Sequence, residues 1–329
     1  MRQKLEHLAD ILVKYRKERE KFISATVEWS SSDHDGDALV FSHQVLPLLV
    51  AMLDDPDSGI SVSSMQALQR IIEKSNKDYI SCLLELKSVE VLCNILERED
   101  PLPINQDQEP VNCFLREALA ATILSEILKI KSSHESEYFL DIKRISDTAL
   151  RCSRSENEDI RHGGLSILES LVHVDAAFLS ENEMSNICDT ITVAFDLHQS
   201  FQMAILSFVN LFIIKIPSAA ENLGWILLPK SIDALSCANP DDERGLCVLL
   251  DNIYLNFSFC NKEYDLEEMT ISIICQFMQC ESSSCQIASY RLLSKLAESD
   301  AKPVEAIAND SILLETVMNS SNLLDNQDL

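Results

Sequence analysis

The chain has 329 residues, of which 46% are apolar, so it can bury a large core and is not a disordered polymer. Six glycines and nine prolines are too few for a turn-rich β fold. The net charge of −26, from 27 basic against 53 acidic residues, repels phosphate backbones and anionic bilayers and favours basic proteins or peptides as partners.

In chain order, residues 1–29 form the first predicted element. Residues 1–22 carry seven basic side chains against four acidic ones, a net +3. Leu5, Leu8, Leu12 and Tyr15 share one helical face, which suits a helix capping the first repeat of an array or a self-association element. The segment has neither the continuous apolar core nor the small-residue cleavage site of a signal peptide. Residues 30–40 read as an acidic, Ser-rich linker.

From 41 to 325 nearly every segment carries the helical apolar period, and two-residue alternation is nowhere sustained. Leu46, Leu49, Val50 and Leu53 mark one helix; Met65, Leu68, Ile71 and Ile72 mark the next. Breaks fall at Asp54–Ser58, Asn239–Asp242 and Ser282–Ser284, whose side chains suit helix N-caps. No apolar run reaches the ~18 residues of a membrane span. The tail is 326–329.

One helix recurs as residues 64–72, 121–128, 164–172, 204–212, 245–253 and 292–297, each beginning small or apolar and ending in apolar pairs. Its equivalent positions are Arg70, Glu126, Ser170, Asn210, Asn252 and Lys295, at intervals of 56, 44, 40, 42 and 43. The long first interval contains a proline-bearing acidic stretch, 99–111, read as a loop insertion. A second helix precedes each copy, as in 45–53 and 88–96, and a shorter element such as 78–86 lies before it. A three-helix unit every ~42 residues falls in the armadillo/HEAT window.

On these residues the chain resembles armadillo-repeat proteins. Val45–Asp57 is similar to the family's second helix and following turn; the helices carrying Asn210 and Asn252 resemble its third helix, whose inner-face asparagine binds an extended peptide. The resemblance implies an all-α, right-handed armadillo/HEAT-type α-solenoid of about six to seven three-helix repeats. It also implies a concave groove, for which Arg70, Glu126, Ser170, Asn210, Asn252 and Lys295 are the candidate partner-binding residues. Gln66, Thr122, Ser166, Leu206, Val248 and Arg291 stand where the family's peptide-binding ladder has tryptophan.

The function expected is a protein-interaction scaffold or adaptor, cytoplasmic or nuclear, taking a basic partner segment along an acidic groove. The alternative is a regulatory co-factor of a chaperone or enzyme, with a nuclear-transport adaptor ranked behind both. Nothing here predicts catalysis or a cofactor: the seven histidines form no HxxxH or HExxH, and no GxSxG, GxGxxG or phosphate loop occurs. Asp33-His34-Asp35 falls in the linker, which cannot hold a catalytic geometry. The eleven cysteines contain no CxxC, so no metal site is expected, and the thiols read as small buried hydrophobes.

Overall fold

The apolar period from residue 45 onward requires each helix to bury a stripe, and in the computed structural model each helix does so against its sequence neighbours. The structure describes residues 16–26, 45–73, 77–98, 111–132, 140–174, 181–197, 199–260, 268–299, 302–309 and several residues of 311–318. These residues are α-helical with short connections, and no strand occurs among them. The linker 30–40, the tail 326–329 and all but Val111 of the 99–111 insertion lie outside the described residues. The chain divides into an N-terminal unit, Met1–Phe178, and a C-terminal unit, Leu179–Leu329.

The N-terminal unit contains α1 (16–26), α2 (Leu46–Leu53), α3 (Ser58–Glu73), α4 (Lys77–Glu85), α5 (Ser88–Leu96), α6 (Val111–Ser132), α7 (Ile142–Ser153) and α8 (Glu158–Val174). The long helices α3, α6 and α8 pack in succession. The shorter α2, α5 and α7 form a second layer, each against the long helix that follows it. Leu68, Ile123, Leu124, Ile127 and Ile167 are at most 1% exposed and form the core between the long helices. No helix could bury its own stripe alone, so the stacking itself makes the core.

The acidic turn 54–58 caps the helix after it as expected, with Asp57 Oδ1 accepting from the Gly59 and Ile60 amides at the start of α3. Asp141, not singled out from the sequence, accepts from the Arg144 amide at the start of α7. The same acidic turn holds α1, because Arg19 pairs with Asp55 and Arg16 Nε lies 3.2 Å from Asp57 Oδ2. Ile23 and Thr26 of α1 are buried.

Within the N-terminal unit, successive helix pairs are also joined by charge. Arg144 on α7 makes a two-pronged contact with Glu97 after α5, Nε to Oε1 at 2.8 Å and Nη2 to Oε2 at 2.6 Å. Thr148 Oγ1 donates to Glu97 Oε1 at 3.0 Å. Hydrogen bonding from Arg144 holds the Glu97 carboxyl below the usual carboxylate range against the opposing effect of burial. A depressed carboxylate contributes stability above its unfolded pKa and loses it as pH falls through the folded value. Urea midpoints should therefore drop between about pH 5 and pH 3 by more in the wild type than in Glu97→Gln. The difference should be about 1 kcal/mol, since both side chains are about a third exposed and solvent screens them. Equal pH slopes in the two proteins would remove Glu97 from this role.

The C-terminal unit contains α9 (Glu181–Leu197), a 3₁₀ turn (Gln199–Phe201), α10 (Gln202–Lys215), α11 (Ala219–Ser236), α12 (Glu243–Phe259), α13 (Glu268–Phe277), α14 (Ser283–Ser299) and α15 (Lys302–Asn309). Here α10, α12 and α14 are the successive long helices, and α11 and α13 form the second layer with α9. Phe208 and Phe212 stack at 5.4 Å on α10, and Leu227 of α11, Leu250 of α12 and Leu292 of α14 are fully buried.

Among the described residues, the expected short first helix of each repeat is a separate element at α4 alone. Along α9 and α11 it runs on into the next helix, so α11 is one helix of 18 residues. Gly224 lies inside that helix and is buried against Cys260, so it serves close packing on α12 and does not break the chain. Among the described residues no helix is long and apolar enough to cross a membrane.

Candidate functional site

The C-terminal unit contains a cleft of about 700 Å³ where the ends of four helices meet. Its floor is apolar: Phe195 from α9 and Leu246 and Leu249 from α12 are at most 4% exposed, with Met203 and Ala234 beside them. Its rim is acidic. Asp196 closes α9, Asp233 lies on the last turns of α11, and Asp242 precedes α12. One cation, Lys230, lies among them; it pairs with Asp196, and its ammonium is 6.0 Å from the Phe195 ring centroid.

Local sequence explains these positions. Asn239-Pro240-Asp241-Asp242 ends α11 and begins α12, with Asn239 Oδ1 accepting from the Asp241 amide at 3.1 Å. Asp242 Oδ1 accepts from the Gly245 amide at 3.1 Å, as expected of an N-cap. Gln202 Nε2 donates to the Phe195 carbonyl at 3.1 Å, tying the start of α10 to α9. Asp233 is exposed and has no ion pair among the described residues. The cleft thus offers three carboxylates against one ammonium over an aromatic and aliphatic floor. That surface can take a cation on an apolar stem, such as an arginine or lysine side chain.

None of the six residues inferred from the repeats lines this cleft. Arg70 is exposed near the end of α3. Glu126 is half-exposed and pairs with Lys129 at 3.0 Å, and Lys295 pairs with Glu298 at 3.0 Å. Ser170 and Asn252 are corrections to a groove-lining role, because both are fully buried. Ser170 Oγ lies 3.2 Å from Ser125 Oγ, and Ser125 Oγ lies 2.7 Å from Ser166 Oγ, a hydroxyl cluster between α6 and α8. Asn252 Nδ2 donates to Ser231 Oγ at 2.5 Å, so its amide serves the α11–α12 contact. Asn210 is half-buried, with Nδ2 reaching the Val248 carbonyl at 3.4 Å and Oδ1 buried without a partner among the described residues.

The reason is local. Positions 125–126 read Ser-Glu, whereas 169–170 read Glu-Ser; in both pairs the serine turns inward and the glutamate stays half-exposed. A hydroxyl is small enough to bond across helices, and a carboxylate is not left unpaired in a core. Alignment by apolar period cannot see this exchange. The cleft had one sequence signal, the acidic turn 239–242, which reads only as a helix boundary until α9 and α11 are placed beside it.

Among the described residues no group of three or more His, Cys, Asp or Glu is placed to hold a metal ion. No protein-family model and no curated protein matches the chain. Among solved structures, the chain is similar to the crystal structures of two engineered proteins from the Northeast Structural Genomics Consortium. One has a TM-score of 0.61 at 13% identity, covering 93% of this chain and 74% of that one. The other has a TM-score of 0.53 at 13% identity, covering 77% of this chain and 97% of that one. At that identity the likeness shows the fold alone: an all-α arrangement of helices packed neighbour on neighbour.

Proposed function

We propose that the chain is a protein-interaction scaffold or adaptor built on a right-handed armadillo/HEAT-type solenoid of about six to seven repeats. Its C-terminal cleft receives a basic side chain from an extended partner segment. The observation that carries this reading is the arrangement of Asp196, Asp233 and Asp242 over Phe195, Leu246 and Leu249, with a single lysine among them. Helices packed in succession within each unit support the solenoid, and a net charge of −26 supports a cationic partner. Charge of this kind chiefly raises association rate and selectivity, while the apolar floor supplies the contact area. Arg70, Glu126 and Lys295, which keep exposed surface, are the remaining candidates for contacts along the repeats.

The test is fluorescence anisotropy with a labelled arginine/lysine-rich peptide and an acidic peptide of the same length. The basic peptide should bind, with affinity falling as salt rises. The double variant Asp233→Asn, Asp242→Asn should bind it about tenfold more weakly, and the acidic peptide should not bind. Asparagine keeps the N-cap at 242, so α12 is preserved. Unchanged affinity in the double variant sinks the cleft assignment.

A further inference from the structure

Cys247 on α12 and Cys285 on α14 face each other with their Sγ atoms 2.8 Å apart. The two helices are successive long helices of the C-terminal unit and pack directly on each other. Cys285 is fully buried and Cys247 half-buried, so one residue of the pair keeps some contact with solvent and the other has none.

Contacts around the thiol pair hold this geometry. Ser282 Oγ donates to Glu243 Oε1 at 2.7 Å and accepts from the Cys285 amide at 3.3 Å, which ties the start of α14 to the start of α12. The Cys285 thiol is placed to donate to the Glu243 carbonyl at 3.2 Å, leaving its sulfur turned toward Cys247. A third thiol, Cys280, is half-buried beside Cys285 and donates to the Ser282 carbonyl at 3.6 Å. A disulfide has its sulfurs about 2.05 Å apart, so closure from 2.8 Å requires less than about 1 Å of sulfur movement.

We propose that Cys247 and Cys285 are a redox-responsive dithiol that closes into an inter-helix disulfide by exchange with a small-molecule disulfide of the glutathione class. The Cys247 thiolate, its proton given up to solvent, attacks one sulfur of the small disulfide. That S–S bond breaks, a mixed disulfide forms on Cys247, and the departing thiolate takes a proton. Cys285 then loses its proton and attacks Cys247 Sγ, expelling the second small thiolate, which is protonated in turn. Two cysteine thiols are oxidised to one disulfide, and one small disulfide is reduced to two thiols. Burial raises both thiols, Cys285 to about 11, and Cys247 is the more exposed residue of the two, so it is the first to react. Closure cross-links helices that belong to successive repeats and limits their sliding past one another.

The test uses the full chain, reduced and then incubated with oxidised glutathione at mildly alkaline pH. The chain is then unfolded in urea with N-ethylmaleimide to block every remaining thiol, and non-reduced peptides are mapped by mass spectrometry. The expected result is a linked peptide pair containing Cys247 and Cys285, reversed by dithiothreitol, with a raised denaturation midpoint for the oxidised chain. Cys247→Ser, at a half-buried site where the fold is kept, should give no such pair, with Cys280 as the remaining site of glutathione addition in the cluster. The proposal is overturned if Cys247 and Cys285 both remain fully alkylatable. It is equally overturned if Cys280 replaces either of them in the linked peptide.

Discussion

Gly164→Ala should destabilise the N-terminal unit by roughly 3 kcal/mol, although alanine is the better helix former by about 1 kcal/mol. A Cβ at residue 164 would lie 2.6 Å from the Ser153 backbone nitrogen, 2.8 Å from the Ala149 carbonyl oxygen and 2.8 Å from Cys152 Cβ. Two of these three atoms are backbone of α7, and a helix backbone cannot move aside as a side chain can. The neighbouring Gly163 faces Ala121 on α6, where an added Cβ would approach to 2.4 Å. The two glycines let α8 pack against both neighbours at once. Gly59→Ala is the control: its nearest obstacle is the Asp57 carboxylate at 3.2 Å, a side chain able to shift. That substitution should stay within about 0.5 kcal/mol of wild type. Urea denaturation followed by circular dichroism reads both. A Gly164→Ala protein as stable as Gly59→Ala would mean that α7 and α8 are not this close.

Asp54→Ala should cost about as much, roughly 3 kcal/mol, through charge and not volume. Asp54 Oδ1 accepts from Arg116 Nη2 at 2.7 Å, and Asp54 Oδ2 accepts from Arg98 Nη2 at 2.5 Å. The Arg116 side chain is only 6% exposed, and its Nε donates to Ser61 Oγ at 2.9 Å. Burial disfavours the Arg116 charge, and Asp54 offsets that effect. Removing the carboxylate leaves a buried guanidinium with one hydroxyl partner. Arg116→Met removes the charge itself, and Asp54 keeps Arg98 and solvent, so its cost should be smaller. Asp54→Asn should fall between the two, because it retains an acceptor without the charge. Denaturant midpoints for the three variants give the order. If Arg116→Met proved as costly as Asp54→Ala, packing would outweigh the uncompensated charge.

The two largest effects fall on residues of very different legibility. The repeat pattern placed a small or apolar residue at the head of each recurring helix, Ala121 and Gly164 among them, but did not show which neighbour came close enough to require a small one. The acidic turn Asp54–Ser58 was legible as an N-cap, and Asp57 does cap α3. Its other carboxylates, Asp54 and Asp55, were not legible as anchors, because their arginines come from positions 19, 98 and 116. Those pairings exist only once α1, the end of α5 and α6 lie beside the turn.

The candidate site divides in the same way. A polar residue in a helical repeat can be placed near the edge of the apolar stripe. Whether it faces solvent or a neighbouring helix turns on a rotation of one residue, as Ser125-Glu126 and Glu169-Ser170 show. Ser170 and Asn252 fell inward for that reason.

By itself the sequence determined that the described segments from residue 45 onward are helical, where several of the helices break, and that the chain is strongly acidic, because period, capping chemistry and charge are local or additive properties. The tertiary structure alone decided which acids meet at the cleft, which arginine is buried and which two thiols touch. Those contacts join residues some 30 to 60 positions apart, and only the packing of one helix on another brings them within a few ångströms.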